Sequence, residues 1–190
     1  MYNAVDTAIV GHVLGENSLA AVGATASIFE LLVGFSMSLG AGFSIVIARA
    51  FGSGETHKMK KAVAGSIEIG IFTTLILTIL SMFLLKPLLV LIDTPQEIMD
   101  QALAYISVIG YFVFVMFAYN LCSGILRSIG NSFMPLVFLV FSSILNIFLD
   151  YACMAWFNMG VAGAAIATVI SQGISAVLCI IMPIDRKSVV

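Results

Sequence analysis

The sequence predicts an all-α membrane protein, a six-helix transmembrane bundle whose first helix is truncated. Three observations carry this. Of 190 residues, 61% are hydrophobic and only 9% charged, with a mean hydropathy of +1.14. A soluble domain carries about 25% charged residues, and its core does not absorb this much apolar surface. The apolar residues also gather in runs long enough to cross a bilayer, separated by short polar turns. Finally, the few ionisable groups inside those runs include two aspartates, Asp6 and Asp150. A carboxylate at the centre of a membrane helix costs roughly 2.5–3.5 kcal/mol on insertion scales, so one that persists has a partner or a task. The net charge of -2 and the lack of a basic cluster give no reason to expect nucleic acid. Cys122, Cys153 and Cys179 lie within apolar runs, show no metal-ligand spacing and read as small core residues.

The first segment, residues 1–14, spans about 21 Å as a helix, against a hydrocarbon core of about 30 Å. Its beginning is therefore expected to be missing, and no signal peptide is recognisable. Gly15-Glu16-Asn17-Ser18 is a turn, with Ser18 or Asn17 available to cap the next helix. The second segment, 19–51, is longer than a perpendicular span needs. Gly23, Gly34, Gly40 and Gly42 invite close helix contact and a bend. A polar loop from Gly52 to Lys61 leads to the third segment, 62–85, which Lys86-Pro87 is expected to end. Asp93-Thr94-Pro95-Gln96-Glu97 reads as a helix start, with Thr94 as cap, Pro95 in the first turn and Glu97 closing a capping box. The fourth segment runs from there to about residue 126, its aromatic stretch from Tyr111 to Tyr119 suited to packing or lipid contact. After the turn at Arg127–Ser132 the fifth covers 133–157, and Asn158-Met159-Gly160 separates it from the sixth, 161–182.

The fifth segment carries the chemistry. In Asn146-Ile147-Phe148-Leu149-Asp150 the polar residues stand four apart, so both project from one helix face. That face offers a carboxylate and an amide to one proton or cation, and Asp6 is a second acid for the same guest. Two carboxylates in a dry cavity repel, and a bound proton relieves them. Two carboxylates, an amide and a hydroxyl equally suit sodium, a hard cation. The residues do not separate these guests. A neutral helix-packing role for Asp150 is the plainer alternative. Glu30 is placed to line a cavity, as is Gln172, whereas Glu68 is expected to snorkel or to pair with Lys60 or Lys61.

Arg49, Lys58, Lys60, Lys61 and Arg127 fall at the connections on one side, and Lys86 stands alone on the other with Glu16, Asp93, Glu97 and Asp100. The basic side, with the amino terminus, is expected to be cytoplasmic. The last six residues, Asp185 to Val190, look foreign and match a sequencing adapter read through in frame. They are set aside as a non-native tail, 185–190.

Several stretches carry a resemblance in order and spacing: Asp6-Thr7 with Val10-Gly11; Leu19-Ala20-Ala21-Val22-Gly23; Arg49-Ala50-Phe51-Gly52; Gly124 to Ser132 with Pro135; Asn146 to Asp150; and Gly160 to Thr168. Together these resemble the amino-terminal half of a multidrug and toxic compound extrusion (MATE) transporter. The resemblance implies a twelve-helix, two-lobe protein of which residues 1–184 form one lobe. It implies export of drugs or other amphipathic or cationic compounds in exchange for H+ or Na+, in a cell membrane, with no other cofactor. Its partners would be the bilayer, those compounds and the missing carboxy-terminal lobe. Carried over by position, the coupling residues are Asp6, Asn146, Asp150, Thr168 and Tyr105; Glu30 and Glu68 match no motif of the family. Many members place proline after the fifth-helix acid, where this chain has Tyr151.

Three other readings compete. A lipid-linked oligosaccharide flippase of the same superfamily would favour several cations in the cavity, and few appear. An intramembrane enzyme would need a catalytic constellation, but the two histidines, His12 and His57, lie near membrane boundaries and no protease acid motif is present. An inactive fragment is the third, because alternating access takes two lobes.

Overall fold

A computed structural model describes residues 2–181, with side chains from residue 6 onward. Residues 182–190, including the end of the sixth segment and the expected tail, lie outside the described residues. The described chain is helical, without strands: α1 (Tyr2–Leu14), α2 (Glu16–Ala24), α3 (Ala26–Gly52), α4 (Thr56–Leu91), α5 (Gln96–Tyr111), α6 (Val113–Ser128), α7 (Phe133–Tyr151), a π turn (Ala152–Trp156) and α8 (Gly160–Ile181). Helix α3, α4, α7 with its π turn, and α8 are each long and apolar enough to cross a membrane. Helices α5 and α6 make a fifth span bent by 47°.

Helix α8 is the inner helix. Half of its most apolar stretch is buried, against 22% for the other three long helices. Its Ala164, Ala165, Ala167, Thr168 and Ser171 are fully enclosed. Small side chains let neighbouring backbones approach, which is how membrane helices gain packing without a hydrophobic drive between them. The outer helices turn Leu, Ile and Phe outward, as at Phe72, Phe83 and Leu91 of α4, where lipid would cover them.

The second and fourth segments are each broken. Thr25, fully buried, interrupts the second, and its hydroxyl donates to the Val22 carbonyl at 2.8 Å. Phe112 interrupts the fourth, where glycine, β-branched and aromatic neighbours lower helix propensity. Excess length was the visible signal in the second segment; the break in the fourth, which runs to about residue 126, was not expected from the sequence. Three expectations about helix ends need correction. Pro87 does not end its helix; α4 runs on to Leu91 because one lost backbone bond is outweighed by the packing of Leu85 and Leu89 in the core. Thr94 does not cap α5. Asp93 takes a left-handed φ of 54°, and the Thr94 amide donates to the Leu89 carbonyl to close α4. That Schellman closure moves the start of α5 on by one, leaving Pro95 at the cap and Thr94 Oγ1 buried without a partner. Neither Ser18 nor Asn17 caps α2, which begins at Glu16; Ser18 donates instead to Gln101 Oε1 at 2.9 Å, tying α2 to α5.

Of the glycines expected to make close contacts, Gly40 alone does so, against the backbone of Asn120. Gly23, Gly34 and Gly42 have open space around them, because they lie on other faces of their helices. The Gly40 crossing is extended where Ser128 Oγ donates to the Ser44 carbonyl at 2.8 Å, joining α6 to α3. Gly110 sits tightest against α4: a Cβ there would lie 2.7 Å from Ser81 Cβ, an atom no rotamer can move. Gly110→Val is therefore expected to destabilise the bundle by about 1–3 kcal/mol, read as a lower thermal midpoint in detergent. An unchanged midpoint would mean that α4 and α5 are not packed this closely.

Candidate cation site

Four polar side chains from three helices meet in the interior. Asp6 of α1 and Thr168 and Asp150 of α8 and α7 have no exposed surface, and Asn146 is 1% exposed. Thr168 Oγ1 donates to Asp6 Oδ2 at 2.7 Å. Asn146 Nδ2 donates to Thr168 Oγ1 at 3.3 Å and to Asp150 Oδ1 at 3.4 Å. Asp6 and Asp150 are also close enough to act on each other electrostatically. The amide and hydroxyl thus link the two acids by their inner oxygens. Asp6 Oδ1 and Asp150 Oδ2 are left buried without a partner.

Local sequence explains the placement. Asn146 and Asp150 stack one turn apart on the inward face of α7, while Ile147 and Phe148 between them point outward. Directly after Tyr151 the helix widens into the π turn, where the Phe157 amide donates to the Ala152 carbonyl five residues back. The irregularity that proline would otherwise introduce beside the acid is present here as a π bulge, a feature common next to functional residues.

Tyr105 of α5, also carried over, is fully buried and within electrostatic range of both acids. Its hydroxyl has no partner and its ring stacks on Phe29, 6.5 Å between centroids. Gln172, 6% exposed, lies one turn beyond Thr168 on α8. Glu30 is not brought to this site. It is exposed on α3, because its neighbours Phe29 and Leu32 take the inward positions. Glu68 is likewise exposed on α4 and forms no ion pair with Lys60 or Lys61; the ion pair among the described residues is Lys58 with Glu55, at 2.8 Å. Sequence reasoning missed Ser142. It is fully buried with an unpartnered hydroxyl, one turn before Asn146. The four-residue spacing Ser142, Asn146, Asp150 was the signal that could have found it.

The donor set is all oxygen plus one amide. No group of three or more His, Cys, Asp or Glu placed to hold a metal ion occurs among the described residues. Two facing carboxylates and neutral oxygens suit a proton or a small hard cation rather than a soft metal, and the two orphaned oxygens are where such a guest would find electrons.

Comparison with known proteins places this geometry in a family. The MatE family model matches residues 1–152, which include Asp6, Asn146 and Asp150. Among curated relatives, the probable multidrug resistance protein YpnP of Bacillus subtilis is 27% identical over 185 residues, covering 97% of this chain and 42% of that protein. The probable multidrug resistance protein NorM of Thermotoga maritima is 29% identical, covering 93% of this chain and 39% of its own length. A crystal structure described as MATE in the bent conformation superposes with a TM-score of 0.88 at 30% identity, over 94% of this chain and 40% of that one. An inward-facing multidrug resistance MATE transporter does so at 0.89 and 27% identity, over 94% and 41%. The chain spans about two-fifths of the length of these proteins, matching one lobe of their fold. With the family model covering most of the chain, the multi-pass helical bundle described here belongs to the MatE family.

Proposed function

We propose that this chain is the amino-terminal lobe, residues 1–184, of an antiporter that exports amphipathic or cationic compounds in exchange for H+ or Na+. Asp6, Asn146, Asp150 and Thr168 bind the coupling ion, and Tyr105 and Gln172 border it. The observation that supports this most is the pair of fully buried acids on α1 and α7, joined through Thr168 and Asn146 with one free oxygen each. Two charges held away from water are costly unless a cation or proton sits between them. A guest taken up on one side and released when the cavity is rewetted on the other couples its gradient to substrate movement. Under this reading the basic ends of α3, α4 and α6 face the cytoplasm, and the amino terminus with them, in keeping with the excess of Lys and Arg there.

The test is drug efflux from vesicles containing the longer transporter that this lobe begins, driven by an imposed pH gradient or an imposed sodium gradient. Efflux driven by one of them supports the reading and names the ion; efflux indifferent to both sinks it. Thr168→Val probes the site itself. It removes the donor to Asp6, a hydrogen bond to a charged group worth roughly 1.5–3 kcal/mol. The concentration of coupling ion giving half-maximal efflux should rise by about tenfold or more. An unshifted dependence would take Thr168 out of the site.

A further inference from the structure

At the basic end of the bundle, well apart from the buried acids, α3, α4, α6 and α8 part to leave a cavity of about 650 Å³. Its walls are apolar, with Ile47, Val63, Ile125 and Ile180 from the four helices. None of Asp6, Tyr105, Asn146, Asp150 or Thr168 lines it. The volume lies within the ~300–1,000 Å³ typical of small-molecule sites. Lys60 lines the cavity yet is exposed, so its stem covers the apolar wall while its ammonium stands at the mouth.

The surrounding charge selects the occupant. Arg49 in the last turn of α3, Lys58, Lys60 and Lys61 at the start of α4, and Arg127 in the last turn of α6 all stand at this end. Glu55 neutralises Lys58. Arg49, Lys60, Lys61 and Arg127 form no ion pair with any described residue. A cationic drug would be repelled here, and a neutral apolar molecule would leave the cations unanswered. Basic pockets between membrane helices bind anionic lipid headgroups. We propose that this cavity binds an anionic phospholipid of the adjacent leaflet, with one acyl chain between α3, α4, α6 and α8 and its phosphate on Lys60. The site is separate from the coupling residues and does not depend on the antiport reading.

Two thiols inside the cavity, Cys122 and Cys179, are built-in reporters, and Cys153, buried within the π turn, is a reference outside the cavity. The protein is placed in nanodiscs of phosphatidylcholine, or of phosphatidylcholine with phosphatidylglycerol. Alkylation by a membrane-permeant maleimide is followed at each cysteine by peptide mass mapping. Phosphatidylglycerol should slow Cys122 and Cys179 at least threefold relative to Cys153. Lys60→Gln should remove that difference, while Lys61→Gln, an exposed position that does not line the cavity, should keep it. Inorganic phosphate added to phosphatidylcholine discs should give no protection; protection equal to that from phosphatidylglycerol would mean an anion site and no lipid site. Equal rates in both discs would overturn the proposal, whether fast, as for an empty cavity, or slow, as for one filled by the protein itself or by any acyl chain. Protection that survives Lys60→Gln would overturn it too.

Discussion

Asp150→Asn in the longer transporter is expected to reduce coupled efflux to the level of cells lacking the protein, while leaving insertion and folding intact. The substitution keeps the shape of the side chain, and an oxygen remains to accept from Asn146 Nδ2, now 3.4 Å away. What goes is the negative charge and the oxygen, Asp150 Oδ2, that has no partner. Asp6 would then face two amides, and the site would hold one charge where it held two. Removing a buried acid also removes a desolvation cost, so the thermal midpoint should stay level or rise. Loss of efflux with a retained midpoint separates a coupling role from a packing role. Efflux at the parent level would remove Asp150 from the mechanism, and a midpoint that fell with efflux would return it to packing.

The second large effect concerns the chain by itself: cells expressing these 190 residues alone are expected to show no drug efflux above background. The chain spans about two-fifths of its relatives. Transporters of this kind open alternately by rocking one bundle against another around a shared cavity, and a single lobe has nothing to rock against. Co-expression with the complementary portion of the longer protein is the informative companion. Efflux recovered only with both pieces would support the two-lobe reading, and efflux from the 190 residues alone would overturn it.

Much of the candidate site was legible because its physics is local. The four-residue step from Asn146 to Asp150 is a helical turn, and an acid in an apolar run is conspicuous wherever the run packs. Asp6 stood out in the same way, Thr168 was reached through resemblance, and their contact at 2.7 Å joins residues 162 apart in sequence, which no local pattern announces. Ser142 escaped because a serine in a membrane helix is cheap: most here simply bond back one turn, as Ser143 does to the Leu139 carbonyl. Glu30 was over-read for the converse reason. A charge inside an apolar run signals that it faces something other than lipid, but not which face of α3 turns inward.

Helix ends and breaks show the same division. Gly54 and Gly130 stand just past helices at φ of 72° and 88°, where glycine belongs, and both turns could be read from composition. Asp93 performs that task at 54° against its residue type, and so displaced the expected cap at Thr94. Pro87 follows the opposite logic, a breaker overruled by the burial of Leu85 and Leu89 on either side.

Hydropathy and charge placement determined that this is a multi-pass helical protein with acids in its membrane interior, because the solvent each segment requires is written in its own side chains. Which acids face one another, where the long runs bend, and that four helices leave a lysine-rimmed cavity were decided by tertiary packing. Those outcomes depend on how faces of different helices are rotated together, and the energy that sets the rotation belongs to pairs of helices and not to any one stretch.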